Sequence, residues 1–405
     1  MLPCDVGVGL WPAAQRALDR LGSPGRRLRG SGFTVPPAAY RSRDGAWLSQ
    51  STGRRVRVRT ICENQLRSFL YEEDVKVGEC FGNASETGPF CWSDRGVTFV
   101  HGDVCESGLD DVSFENVDYD LVIDATGSSG VLAHVSHVSL GVSGIVTRSD
   151  TRSRGSGSLH MDMADLFQGL PARPFETLVE PCVRIAVVPL SSDGEQFFWF
   201  VSGMERVLSS HDLPESSPLS AWLDACAHTI DGSTHVPMSE IIAKSSSMMI
   251  RRVYEGSNTT YRSHEKNVVR IGDAANHLPN NLAQGASVAI EDGHAIGSIV
   301  ALAASVHAAE EDGEKDMAET VAACINEFTR LREPRVRDCR VVSKFTQYIS
   351  ALPVLAGCMR FVPAPINSRV FDAFLDASLG GGGSDPDSVL GPLALVAPVR
   401  GSIKF

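Results

Sequence analysis

The sequence predicts an α/β protein with a strand-and-helix lobe that is discontinuous along the chain, a separate β-sheet lobe and C-terminal helices. Three stretches carry this prediction. In "VVRIGDAANHLPNNLAQGASVAIEDG", from Val268 to Gly293, an apolar strand runs into Gly-Asp, then a Pro-Asn-Asn turn, then a long helix. In "DYDLVIDATGSSG", Leu121, Val122 and Ile123 form a continuous apolar strand ending in a Gly-rich turn, the pattern of a strand buried on both faces. "RIAVVPLSSDGEQFFWFVSG" reads as a β-hairpin around Ser-Asp-Gly. At 405 residues and 43% hydrophobic content, the chain is long enough for a sizeable core and for two lobes.

Taken in order, "PAAQRALDRLG" is a short amphipathic helix, with Pro12 in the first turn, Ala14, Ala17, Leu18 and Leu21 on one face, and Gly22 to stop it. Thr60 followed by Glu63 makes a capping box before "NQLRSFLYEE", predicting a second helix over 61–73. Short strands follow at "DVKVGE" and "GVTFVHGDV". "RSRGSGS", from Arg152, is a flexible crossing. In the second hairpin arm Phe197, Trp199 and Val201 alternate with Phe198 and Phe200, so both faces are apolar. Two readings stand: a strand sandwiched between layers, or one face against a ligand. After the acidic stretch "EEDGEKDMAE", "FTRLREPRVRDCRVVSKFTQYI" predicts a helix interrupted at Pro334. The tail, from "ALPVLAGCMRF" through "GGGGSDPDS", shows no clear element, and the chain has no internal repeat.

A net charge of −12 argues against a nucleic-acid partner, which needs clustered Lys and Arg. The acidity is uneven: residues 1–60 carry eleven Arg against three Asp. Ten Cys lie scattered without a Cys-x-x-Cys pair, which suits reduced, mostly buried thiols better than a metal site or disulfide framework. No secretory signal is visible, and the apolar run "IGSIVALAASV" is too short to span a bilayer, so no transmembrane segment is expected.

The Gly-Asp turn is the candidate site. A carboxylate at the carboxyl edge of a sheet accepts hydrogen bonds from sugar-like hydroxyls, and Gly272 allows close approach to the backbone. The following helix, starting near Ala283 or Gln284, turns its first N–H groups, around Gly285, Ala286 and Ser287, toward the same space. Those amides and the helix dipole favour an anion, or a ring that becomes anionic, by roughly 0.3–2 kcal/mol. The local alternative is that Asp273 and Asn280 cap the turn and helix.

"GDAANHLPNNLAQGASVAIEDG" resembles the second flavin-binding motif of flavin-dependent monooxygenases of the para-hydroxybenzoate hydroxylase type. Further similarities follow in the family's order: "GVGLWPAAQRALDRLG", "GVTFVHGDV", "DLVIDATG" and "LREPRV", covering the chain to about residue 350. The resemblance implies an FAD-binding Rossmann-like lobe at 1–150 and 266–310, with parts of 25–60 assignable to the β-sheet lobe. It further implies a β-sheet substrate lobe at 151–265 and a C-terminal helical region and tail at 311–405. It implies that Asp273 binds the ribityl chain of FAD and that Gly285, Ala286 and Ser287 receive the pyrimidine side of the flavin. Gly272, Pro279, Asn280, Ala283 and Gln284 complete that turn, Val104 sits by the adenine, and Thr126 and Gly127 lie in the middle motif. Phe198 and Phe200, or else Phe197 and Trp199, are the expected substrate-pocket residues.

The sequence also departs from the family. It contains no Gly-x-Gly-x-x-Gly: "GVGLWP" has two of the glycines and puts Pro12 at the third, so the N-terminal diphosphate-binding unit is expected to be missing and the lobe incomplete. Thr126 stands where the family has Asp, Ala133 where it has Arg, Glu63 where it has an Arg near the cofactor, and Asn276 where His is common, with His277 beside it. The implied activity is that of an FAD-dependent monooxygenase that uses NAD(P)H and O₂ to insert one oxygen into a small-molecule substrate. FAD binding is expected to be weakened or lost, as in an incomplete copy of a longer protein. The alternative is a non-catalytic family member serving as a binding or scaffold module. No catalytic side chain is assigned; His101, His277 and His294 are candidates whose commoner role is structural. No metal ligand set is seen, and the oligomeric state is not legible.

Overall fold

The computed structural model describes residues 6–35, 39–41, 47–50, 56–71, 90–92, 97–99, 120–127, 136–147, 175–180, 183–191, 196–203, 245–255, 261–262, 267–278, 282–309, 317–351 and 369. The expected strand "DVKVGE", the "RSRGSGS" crossing, most of the acidic stretch and nearly all of the tail lie outside them. So do Val104, Pro279, Asn280, His101 and Ala133.

The predicted hairpin is present. Strands β11 (Val183–Pro189) and β12 (Gln196–Gly203) pair antiparallel, Val187 opposite Trp199 and Pro189 opposite Phe197. They belong to a seven-stranded sheet that also holds β3 (Ala39–Arg41), β4 (Trp47–Gln50), β9 (Ser136–Thr147), β10 (Phe175–Glu180) and β13 (Ser245–Glu255), in the order β13-β9-β12-β11-β10-β3-β4. β9 lies between β12 and β13, so this sheet begins earlier in the chain than a division at residue 151. In β12 Trp199 is fully buried, and its Nε1–H donates to Ser245 Oγ at 2.6 Å, so the indole is both covered and satisfied.

A second sheet, β1-β5-β2, is antiparallel and comprises β1 (Gly7–Leu10), β2 (Phe33–Val35) and β5 (Val58–Cys62). Helices α1 (Pro12–Arg20), α2 (Ser23–Gly30) and α3 (Glu63–Tyr71) accompany it. Pro12 opens α1 as predicted, because proline's missing N–H costs nothing in a first turn. Leu10, Leu18, Leu28, Ile61, Leu66 and Phe69 join these elements in one apolar cluster. The capping box at Thr60 is not formed. Thr60 lies inside β5, and its one hydroxyl proton is shared between the carbonyls of Phe33 and Pro189, so it joins strands instead of capping α3. Tertiary carbonyls within reach outcompeted the local cap, and α3 starts at Glu63. "GVTFVHGDV" contributes β7 (Val97–Phe99), paired antiparallel with β6 (Phe90–Trp92).

The two motif strands, β8 (Val122–Asp124) and β14 (Val268–Arg270), pair in parallel with Asp124 opposite Arg270. Val268, Val269 and Arg270 are buried, but Ile123 is 44% exposed, so the expectation that β8 is covered on both faces is corrected. Among the described residues this parallel sheet has two strands, too few to enclose Ile123.

Helix α4 (Gly285–Ala309) follows the Gly-Asp turn, and α5 (Met317–Ala351) packs against it. The predicted interruption at Pro334 does not occur; Pro334 lies inside α5, with Phe328 and Val336 on either side fully buried. Burial on both sides of the proline outweighs the single backbone hydrogen bond it removes. By length and composition Gly285–Ser305 is a stretch of 21 residues able to cross a membrane, longer than the apolar run suggests. Its Glu291, Asp292, Ile296 and Ile299 are buried within the fold, and 39% of the stretch is buried.

Candidate active site at the Gly-Asp turn

Both parallel strands end in a turn built on a left-handed glycine. Gly127 after β8 has φ 74° and Gly272 after β14 has φ 56°, a region that residues bearing a Cβ rarely occupy. At the first turn, Thr126 N–H and Thr126 Oγ1 both donate to Asp124 Oδ1, at 3.1 and 2.6 Å. The Thr126 hydroxyl proton is therefore used within its own turn.

At the second turn, Gly272–Ala274 form a single 3₁₀ turn. Gly272 is gripped from both sides: its N–H donates to Asp292 Oδ2 at 3.0 Å, and its carbonyl accepts from the N–H groups of Ala275 (3.0 Å) and Asn276 (2.8 Å). Asp273 is exposed, and a Cβ placed on Gly285 would lie 3.5 Å from Asp273 Oδ1. The carboxylate thus stands over the start of α4. By helix geometry the N–H groups of Gly285, Ala286 and Ser287 have no acceptor within that helix.

The residue before Gln284 is strained. Ala283 has φ 49° and is the one non-glycine in the left-handed region among the described residues. Gln284 is 2% exposed, and its Oε1 and Nε2 make no hydrogen bond. The buried side-chain amide of Asn276 is likewise unpaired, so two polar side chains without a partner flank the segment between them. The Ser287 side chain is engaged with protein: its hydroxyl donates to Gly9 O (3.0 Å) and accepts from Trp11 N–H (2.9 Å), while Trp11 Nε1–H donates to Leu282 O (2.9 Å). Of the expected contacts from Ser287, only the backbone N–H remains for a ligand.

Strand β1 joins this turn to the large sheet. A Cβ on Gly7 would fall 2.5 Å from Phe198 Cγ, and one on Gly9 would fall 3.2 Å from the Ala283 Cβ. Gly7 and Gly9 share one face of β1, separated by about 7 Å along the strand. Phe198 of β12 and Ala283 of the turn therefore meet neighbouring positions on the same bare backbone. Phe198 and Phe200 are half-buried, with ring centroids 6.1 Å apart, whereas Phe197 and Trp199 are buried on the other face. The structure thus separates the two pairs: Phe198 lies against Gly7 of β1, and Phe197 and Trp199 are buried.

Beneath the turn lies a buried charge cluster that the sequence reading did not single out. Asp292 Oδ1 accepts from Arg332 Nε (2.6 Å) and from the Tyr261 hydroxyl (3.3 Å). Glu291 pairs with Arg332 Nη1 (3.0 Å) and with Arg335 through Nε and Nη2 (each 3.2 Å). Burial pushes the Glu291 carboxyl up, and Arg335 and Arg332 more than reverse it, so the group is held below the usual carboxylate range. The adjacent acids of "EDG" and the Arg-x-x-Arg of "REPR" were the available signal, two opposite charges at helical spacing within apolar helices.

His277 is buried, and burial followed by the nearby Arg340 lowers its pKa; His294 is lowered by burial and by Arg20, which donates to its Nε2 at 3.2 Å. Glu63 accepts from Arg67 Nε and Nη2 at 3.1 and 2.7 Å, so its charge is paired one turn along α3. Among the described residues no cluster of His, Cys, Asp and Glu is arranged to hold a metal.

No family model matches the chain, and no curated protein matches it. Solved structures do. A salicylate hydroxylase substrate complex aligns at TM-score 0.61 and 13% identity over 97% of this chain and 91% of its own. CtdE in complex with FAD and a substrate aligns at TM-score 0.60 and 17% identity, covering 94% and 90%. Klebsiella pneumoniae HpxO complexed with FAD and uric acid aligns at 0.56 and 16%, covering 93% and 88%. At these identities the likeness is one of fold, and the fold is the α/β flavoprotein fold implied by the Gly-Asp motif.

Proposed function

We propose that the protein is an FAD-dependent monooxygenase acting on a small organic substrate, with the flavin half of FAD held at the Gly-Asp turn. The observation that carries this is the convergence at one place of the Asp273 carboxylate, the small residues Gly285 and Ala286 at the start of α4, and the unpaired buried amide of Gln284. These groups fit the cofactor: a carboxylate accepts from ribityl hydroxyls, and free helix amides donate to a ring that gains negative charge. When bound, FAD would supply the redox chemistry that activates O₂, with NAD(P)H as reductant. The chain's own contribution is position and electrostatics. Asp273 would orient the ribityl chain, Gly285 to Ser287 would hold developing charge, and Phe198 would flank the reacting face from β12. Solved neighbours in complex with FAD and with uric acid support the assignment of cofactor and ligand size.

The test is the visible spectrum and FAD affinity of the purified chain, alone and with an upstream extension supplying a strand-GxGxxG-helix unit. Saturable flavin binding in either form, weakened by about 1–3 kcal/mol in Asp273→Ala, supports the reading. Absence of flavin binding in both forms would favour the alternative of a non-catalytic binding module, to which the lack of any Gly-x-Gly-x-x-Gly in the sequence also points.

A further inference from the structure

We infer that Asp292 and Arg332 are positioning residues for the cofactor turn, so that the C-terminal helix α5 sets the geometry at Asp273 without touching the ligand. This rests on the flavin reading of that turn. The connection is a chain of short contacts: Arg332 Nε to Asp292 Oδ1 at 2.6 Å, then Asp292 Oδ2 to Gly272 N–H at 3.0 Å, then the peptide to Asp273. Every member except Asp273 is buried, with Asp292 at 0% and Arg332 at 6% exposure.

The geometry explains why a charged anchor is placed there. Gly272 sits at φ 56° with its carbonyl held by Ala275 and Asn276, so its N–H must point into the protein, and that N–H needs an acceptor. Asp292 supplies it, and Arg332 with the Tyr261 hydroxyl holds the carboxylate through its other oxygen. An acceptor fixed on both oxygens cannot rotate, so the direction of the Gly272 peptide, and with it the aim of Asp273 over the start of α4, is determined from α5. Glu291 joins this chain through Arg332 Nη1, and Arg335 pairs with Glu291, one ion pair further from the turn. Arg335 is the more distant comparison.

The experiment compares Asp292→Asn, Arg332→Lys, Tyr261→Phe and Arg335→Met in the full chain. The readouts are urea stability, hydrogen exchange at the Gly272 and Asp273 amides, and FAD affinity by flavin fluorescence. Asp292→Asn and Arg332→Lys are expected to speed exchange at Gly272 by at least tenfold relative to amides in α4, and to raise the FAD Kd by tenfold or more. Arg335→Met is expected to lower stability while leaving the Kd within threefold. Tyr261→Phe removes one weak donor, and a smaller change in the same direction is expected should the other variants fold poorly. Equal losses of FAD affinity in Asp292→Asn and Arg335→Met at matched stability, or unchanged Gly272 exchange in Asp292→Asn, would overturn the inference. If neither the chain nor its extended form binds FAD, the flavin reading fails and the exchange data alone decide whether α5 sets the turn.

Discussion

Phe198 lies over Gly7 so closely that a Cβ at position 7 would fall 2.5 Å from Phe198 Cγ. The contact joins the seven-stranded sheet to β1, whose other glycine on the same face, Gly9, lies against Ala283 before α4. "GVG" thus serves as a bare strip of backbone against which an aromatic from one sheet and the turn from another are set side by side. Val8 and Leu10 point the opposite way, into the cluster around Leu18 and Ile61.

Gly7→Ala should therefore displace Phe198 and destabilise the fold by about 1–3 kcal/mol, the usual cost of overpacking. The shift in urea midpoint measures it. Combined with Phe198→Ala the cost should shrink, because the clash has gone, and strict additivity of the two substitutions would contradict the contact.

Ala283 at φ 49° carries strain that glycine lacks. The strain of about 1–2 kcal/mol is set against glycine's entropic penalty of roughly 0.5–1 kcal/mol, so Ala283→Gly should be neutral or stabilising by up to about 1.5 kcal/mol. Ala283→Val should be clearly destabilising. Thermal unfolding of the pair decides this.

Removing the Ser287 hydroxyl should affect stability more than ligand binding. Ser287→Ala leaves the buried Trp11 N–H without its acceptor at 2.9 Å, a loss of about 1–3 kcal/mol. FAD affinity should stay close to the original value, since only the backbone N–H of Ser287 is assigned to the cofactor. A large affinity loss at unchanged stability would mean that the hydroxyl leaves Gly9 and Trp11 to contact the ligand.

Acidification should weaken the fold through His277 and His294. Both have folded-state pKa values below the ordinary value, so from about pH 6.5 downward the unfolded chain binds protons that the folded chain refuses. Stability is thus fully present above the unfolded pKa and is lost as pH falls toward the depressed folded values. Unfolding free energies measured between neutral and mildly acidic pH should show this slope, and His277→Gln should flatten it.

Local sequence determined those features whose physics is local. Pro12 opened α1, the β-branched and aromatic residues of "VRIAVVP" and "QFFWFVSG" made two paired strands, and the Gly-Asp stretch delivered a strand, a tight turn and a helix at Gly285. Each follows from φ preference, side-chain period or a missing Cβ, which a few neighbouring residues settle. Tertiary structure decided the rest, because it depends on which groups meet across the chain. Thr60 left its capping box for the carbonyls of Phe33 and Pro189, α5 ran through Pro334 because apolar residues on both sides are buried, and Ile123 stayed exposed on β8. The support of the site was hidden for the same reason: Arg332 lies 40 residues from Asp292 in sequence, and only the packing of α5 on α4 brings its guanidinium to the carboxylate that holds Gly272.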